Sequence, residues 1–276
     1  MRFLKRPTET ILKRMGLYHR LKTSRINDFY RGVADKEWVL ARDRQIHFYR
    51  SLLPGLRPGD LIFDVGANGG LKTDLFLRMG ARVIAIEPDE TNQSILRERF
   101  LRFRLTQRPV IIVGKAVSDK SATESMWIDG PGSAVNTLSQ KWATALNENK
   151  ARHTYAHCGL DFAKSRTVET TTLDDLIALY GRPRFIKIDV EGYELNVIRG
   201  LRQPAPCLSF EVNLPEFRPE GLQCVSLLAG LAPNSQFNYA VDCEKGLELT
   251  SWSNSNEFSQ VLESVDEGAI EVFWKS

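Results

Sequence analysis

The residues best suited to chemistry begin with the run Asp64-Val65-Gly66-Ala67-Asn68-Gly69-Gly70. It follows a short apolar stretch and opens a helical pattern. Glycines there let the chain turn sharply and let a ligand lie against bare backbone. Asn68 stands where many such loops carry another glycine, and asparagine is one of the few residues that visits the left-handed conformation routinely. Glu87 ends the next apolar stretch, 23 residues after Asp64. A carboxylate there can accept two hydrogen bonds from a ribose diol. Asp189 and Glu191 lie just past a later apolar run and Glu211 near the end of the one after it. Their side chains are expected to converge on one crevice.

Two ligand classes compete for such a loop. A dinucleotide loop reads G-x-G-x-x-G and receives a pyrophosphate at the helix N-terminus. This loop lacks that spacing and opens with an acid, which would repel a pyrophosphate. The same acid would attract the cationic amino-acid end of S-adenosylmethionine, directly or through water. Methyl transfer is an in-line displacement that needs the acceptor held close, often with a base to take its proton. Asp189 is expected to position the donor or the acceptor. Glu191 and Glu211 are expected to bind an acceptor hydroxyl, and either could be the base. Asp189, Glu211 and Asn213 are hard oxygen ligands that would suit Mg²⁺, which could lower the pKa of a hydroxyl. The pattern does not demand a metal, and none is assigned. His153 and His157, four apart, would share a helix face. One could act as base, although an incidental surface pair is the simpler reading. Lys187 lies within a strand and is given no catalytic role.

The elements that must position these groups alternate. Residues 61–65, 82–87, 110–113 (continuing toward 116–117), 185–189 and 207–212 read as strands, with two more at 237–241 and 269–274. Helical patterns cover 71–79 and 89–103. Continuous apolar strands separated by helices imply a parallel sheet covered on both faces. Upstream, residues 8–22 and about 26–53 read as helices, ended by Pro54-Gly55 and Pro58-Gly59. Residues 129–166 are polar, carry no strand signal, and read as an insertion that could close over the site, with Gly132-Ser133 within it.

The chain has 276 residues, 37 Lys+Arg and 34 Asp+Glu, for a net charge of +3. Hydrophobic residues make up 42%, which excludes a disordered or fibrous chain. The charge is unevenly placed. Residues 1–31 hold nine Lys/Arg against Glu9 and Asp28, and the remainder holds 28 against 32. The basic excess therefore belongs to the N-terminal segment, which is expected to pack on the body, cap the acceptor site, or touch an anionic membrane surface. An acidic body without a recognition motif argues against nucleic acid. The four cysteines, Cys158, Cys207, Cys224 and Cys243, form no C-x-x-C pair and read as free thiols in a reducing cytoplasm. No apolar run is long enough for a membrane span.

The loop together with Ile86-Glu87-Pro88, Ala116-Val117-Ser118-Asp119, Thr172-Leu173-Asp174 and Ile186-Lys187-Ile188-Asp189-Val190-Glu191-Gly192-Tyr193-Glu194 resembles the FkbM family of methyltransferases. The resemblance spans roughly residues 60–212. It implies an α/β fold of class I Rossmann-like type, with a mostly parallel seven-stranded sheet and helices on both faces, to which this chain is expected to add its own N-terminal helical extension. Residues 1–58 would be the basic extension and 59–276 the methyltransferase domain, with 129–166 as its insertion or lid. The family implies methyl transfer from S-adenosylmethionine, usually to oxygen, with donor contacts at Asp64, Gly66, Ala67, Asn68, Gly70, Glu87, Pro88, Val117, Ser118 and Asp189. The expected acceptor is a hydroxyl on a sugar, glycan or glycolipid precursor. A polyketide-like natural product, a nitrogen acceptor and a non-catalytic relic of the fold are the alternatives.

Overall fold

The computed structural model describes residues 35–104, 110–148, 160, 162–266 and 268–276. The helix expected at 8–22, the beginning of the one expected at 26–53, and His153, His157 and Cys158 lie outside these residues.

Helix α1 (Lys36–Leu52) starts at Asp35, whose side chain accepts from the Trp38 N–H. Strand β1 (Leu61–Val65) is buried throughout. It leads through the glycine loop into α2 (Leu71–Arg78), β2 (Arg82–Ile86) and α3 (Glu90–Arg99). Asp89 caps α3 by accepting from the Asn92 N–H. A single helix was expected over 89–103, but the chain closes α3 at Phe100, whose N–H bonds the Leu96 carbonyl. It resumes as the single turn α4 (Leu101–Arg104). Then come β3 (Val110–Val113), β7 (Phe185–Ile188), β8 (Cys207–Leu214), β9 (Gln236–Ala240) and β10 (Gly268–Lys275), separated by the elements named below.

These strands form one seven-stranded sheet in the order β3-β2-β1-β7-β8-β10-β9. The first five run parallel, and β10 inserts antiparallel between β8 and β9. The expected fold class is therefore present. Side chains alternate across the sheet, and each face has its own core. One face packs Phe63, Ile84, Ile186, Leu208 and Trp274 beneath the later helices. These are α6 (Leu173–Tyr180), α7 (Glu194–Arg199), α8 (Arg218–Leu231) and α9 (Ser255–Ser264). The other face packs Ile62, Val83, Phe185 and Phe273 against α1 and α2. Tyr49 of α1 is fully buried there, edge-on to Phe48 and Phe76 with ring centroids 5.2 Å away in each case.

Two further expectations are corrected. Residues 116–117 do not continue β3. They form β4 (Ala116–Val117), which leaves the main sheet after Gly114 and pairs with β6 (Lys164–Thr171) in a small second sheet. That sheet also contains β5 (Thr123–Ile128). The segment 129–166 is not without regular structure, since it holds α5 (Gln140–Glu148) and the beginning of β6. Strand β6 escapes a periodicity reading because two of its three buried positions are Thr170 and Thr171, while Lys164, Ser165, Thr167 and Glu169 are exposed. The polar stretch before β10 folds as α9, held by a capping box in which Asn254 and Glu257 each accept the other's backbone N–H.

Candidate active site

The glycine loop sits at the carboxyl end of β1, where ligands bind in open α/β sheets. Gly66 has φ +80°, and a Cβ there would lie 1.7 Å from the Asp189 carbonyl oxygen. The missing side chain thus lets the first loop touch the end of β7. The N–H groups of Gly66 and Ala67 both reach the Ile86 carbonyl, each at 3.0 Å. Asn68 adopts φ +48°, the left-handed state expected of it. Its N–H donates to Glu87 Oε2 at 2.7 Å, and the Asp89 N–H donates to Glu87 Oε1 at 2.8 Å. Glu87 therefore braces both loops that frame the crevice. Burial pushes its carboxyl up to about 7, against the opposing pull of those two N–H groups. Each Glu87 oxygen retains a further lone pair, so the brace is compatible with the ribose contact expected of it.

Asp64 is 1% exposed. Its Oδ2 accepts from Thr73 Oγ1 at 2.5 Å, while its Oδ1 is buried without a protein partner. Burial raises its pKa, with Lys187 pulling the other way. A buried acceptor left open at a glycine loop fits the cationic amino-acid end of S-adenosylmethionine. Pro88 turns its carbonyl toward Gln93 Nε2 and Arg166 Nη2, both at 3.2 Å. Val117 and Ser118 are buried at the edge of the small sheet. The Ser118 hydroxyl is taken up by Glu124 Oε1 at 2.7 Å and by Tyr193 Oη at 3.2 Å.

The second group lies at the ends of β7 and β8. Carboxylate oxygens of Asp189, Glu191 and Glu211 all lie within 4.8 Å of one another. The spacing would admit a hard divalent cation or several donated hydrogen bonds from an acceptor. Lys187, 3% exposed, already places its ammonium 2.7 Å from Asp189 Oδ2. Burial works against that charge, but Asp189, Glu271 and Asp64 outweigh it and raise the lysine pKa. Glu191 has φ +55°, an unusual state for a residue with a side chain. Two contacts hold it there. Thr137 Oγ1 donates to its carbonyl at 2.7 Å, and Trp142 Nε1 donates to its Oε2 at 3.1 Å. The following Gly192 has φ +84°, and a Cβ there would strike the Phe217 ring at 2.5 Å. Burial, then the charges of Asp189 and Glu194, push the Glu191 carboxyl up to about 8. Glu194 accepts from the N–H groups of Val190 and Gly192, closing the turn, and burial raises it to about 7. Glu211 accepts from Asn213 Nδ2 at 3.1 Å, and burial followed by the neighbouring carboxylates raises it strongly.

Sequence reasoning missed several supporting residues. Arg99 of α3 donates to the Gly69 carbonyl at 2.7 Å. Asp89 accepts from the Gly132 N–H at 3.2 Å and from Asn136 Nδ2 at 3.4 Å. That pins the start of the segment 129–166 to the Glu87 turn. Trp142 and Thr137 belong to the same segment. None of these residues falls in a recognisable motif. A signal was available only for Asp89, which stands directly after Glu87-Pro88 and before a helical pattern, where a cap is expected.

The chain matches the Methyltransferase FkbM domain over residues 64–239, well over half its length. Among curated proteins, a 49-residue stretch is 43% identical to ribosomal RNA small subunit methyltransferase A of Thermotoga petrophila. That stretch is 18% of this chain and spans only 19% of that relative. Among solved structures, the plantazolicin methyltransferase BpumL in complex with S-adenosylhomocysteine is 11% identical. It covers 98% of each chain, with a TM-score of 0.41. An S-adenosylmethionine-dependent O-methyltransferase from Thermotoga maritima is also 11% identical, over 84% of this chain and 64% of that one, with a TM-score of 0.39. With the glycine loop, its bracing acid and the strand-end carboxylates in place, and the domain match running through all of them, this chain belongs to the FkbM family of S-adenosylmethionine-dependent methyltransferases.

Proposed function

We propose that the protein transfers the methyl group of S-adenosylmethionine to a hydroxyl oxygen, on a sugar or on a glycan or glycolipid precursor. One observation carries this reading: Asp189, Glu191 and Glu211 converge within 4.8 Å beside the glycine loop. S-adenosylmethionine supplies the electrophilic methyl. Asp64, through its open Oδ1, and Glu87, through its free lone pairs, would hold the donor at the glycine loop. A polyhydroxylated acceptor can donate several hydrogen bonds to the three carboxylates at once. An apolar acceptor would cover the carboxylate oxygens that Lys187, Trp142 and Asn213 do not already hold without giving them partners, which costs free energy. Glu191, raised to about 8, exchanges its proton near neutral pH and is the base that would take the hydroxyl proton. Trp142 and Thr137 fix its direction. Asp189 is placed against the loop, where it orients the donor, and Glu211 holds the acceptor.

The test is release of S-adenosylhomocysteine with a panel of free, nucleotide-linked and lipid-linked sugars beside polyketide-like hydroxyl compounds and amines. Turnover is expected on sugars and is expected to be lost in Glu191→Gln while calorimetric donor binding persists. Turnover confined to amines or polyketides would overturn the acceptor assignment. No donor binding at millimolar concentration would overturn the enzyme itself.

A further inference from the structure

Lys187 is a buried charge and Glu271 a half-buried one, and the methyl-transfer scheme above uses neither. They lie on the face of the sheet covered by α1. In the sheet register Asp64 is paired with Lys187, Lys187 with Ser209, and Glu211 with Glu271. All of them point to that one face, because paired residues of adjacent strands share a side. Among the described residues, the Glu271 carboxylate is held by three side chains from other elements. Ser209 Oγ donates to its Oε1 at 2.7 Å, Tyr49 Oη to the same oxygen at 3.3 Å, and Cys243 Sγ to its Oε2 at 3.2 Å. Lys72, near the start of the helix that follows the glycine loop, donates to Tyr49 Oη at 3.2 Å and to Gln45 Oε1 at 3.0 Å. The row thus alternates in sign, Asp64, Lys187, Glu271, Lys72, and ends on two side chains of α1.

A lysine this deeply buried beside three carboxylates has few directions in which its ammonium can point. It places its ammonium 2.7 Å from Asp189 Oδ2, and so fixes which Asp189 oxygen is left for a ligand. We propose that Lys187 is a positioning residue that aims Asp189 at the methyl donor, with Glu271, anchored by Ser209 and Tyr49, as the counter-charge that keeps Lys187 in place. This rests on the reading of Asp189 as a donor-orienting group. It also makes α1 part of the donor site through Tyr49.

Donor binding tests it without a known acceptor. Calorimetry with S-adenosylmethionine would compare Lys187→Met, Asp189→Asn, their double variant and Glu271→Gln, each checked for folding by thermal unfolding. Asp189→Asn and Lys187→Met are each expected to weaken donor binding by about 10-fold, the scale for losing one well-placed charged contact. The double variant is expected to be no weaker than Asp189→Asn alone, because Lys187 acts through Asp189. Glu271→Gln should weaken binding in the native background and leave the Asp189→Asn background unchanged. If Lys187→Met and Glu271→Gln bind like wild type while Asp189→Asn does not, the proposal is overturned. It is equally overturned if the losses multiply in the double variant, which is the signature of a merely structural lysine. If Lys187→Met does not fold, Glu271→Gln carries the same decision. Wild-type binding by Asp189→Asn would instead overturn the placement of Asp189 at the donor, and the proposal with it.

Discussion

Replacing Trp142 by Phe tests whether the segment 129–148 works by holding Glu191. The indole N–H lies 3.1 Å from Glu191 Oε2. A donor to a carboxylate favours its charged form, so its loss must favour the protonated form. Hydrogen bonds to charged groups contribute about 1.5–3 kcal/mol, and each 1.36 kcal/mol is a tenfold change in proton affinity. Glu191, already at about 8 because of burial and neighbouring acids, should therefore bind its proton about 10- to 100-fold more tightly in Trp142→Phe. The phenyl ring retains much of the edge-on packing against Phe217, whose centroid is 5.5 Å away, so the change reports chiefly on the lost N–H. The assay is the carboxyl carbon resonance of labelled glutamate, followed against pH, with the Glu191 signal identified by its absence in Glu191→Gln. A midpoint unchanged by Trp142→Phe would refute the reasoning. So would a wild-type Glu191 that titrates like an exposed carboxylate.

Gly66→Ala should fail to give a stable protein, because the new Cβ would lie 1.7 Å from the Asp189 carbonyl oxygen and both partners are backbone. A loss above about 4 kcal/mol is expected, read by thermal unfolding, and a folded variant with native melting would contradict the loop placement. Glu87→Ala should weaken calorimetric donor binding by about 1–3 kcal/mol, through the lost ribose acceptor and through release of the Asn68 and Asp89 N–H groups that Glu87 holds. Stability should also fall as pH rises through the neutral range. Glu87, Glu194 and Glu191 carry folded values of about 7, 7 and 8 against 4.5 for the free side chain. The folded state therefore binds more protons than the unfolded state between about 4.5 and 8, and stability declines across that window. Asp175 and Glu271 are shifted downward, so their contribution is lost only below that window. Denaturant midpoints at about pH 5 and pH 8.5 would show the decline, and Glu191→Gln should flatten it.

Most of the main sheet was legible because its strands are written as apolar runs. Leu61-Ile62-Phe63 and Phe185-Ile186 are buried on both faces, and such strands need no alternation to be recognised. The glycine loop was legible for a different reason. Gly66 and Asn68 both adopt positive φ, so their types answer a local backbone requirement that shows at close range. The small sheet was not legible, because β6 buries threonines beside Val168 and points charges outward. Helix α9 was hidden in a polar stretch whose signal is its cap, not its stripe.

The residues that escaped the sequence share one property: they act on groups that are distant along the chain. Trp142 reaches Glu191 across 49 positions, Arg99 reaches Gly69 across 30, and Tyr49 reaches Glu271 across 222. A motif can announce a reactive side chain because local backbone geometry and chemistry select it together. Nothing local selects the partner that aims it. In this fold the partners come from different elements. Trp142 and Thr137 hold Glu191 from the segment following the small sheet's β5, and Lys187 holds Asp189, with Glu271 and Tyr49 behind it in the proposed support. A variant in either support should alter a carboxylate far from it in sequence. Substitutions in α1 and in residues 129–148 therefore belong with those of Asp189 and Glu191 when donor binding and proton uptake are measured.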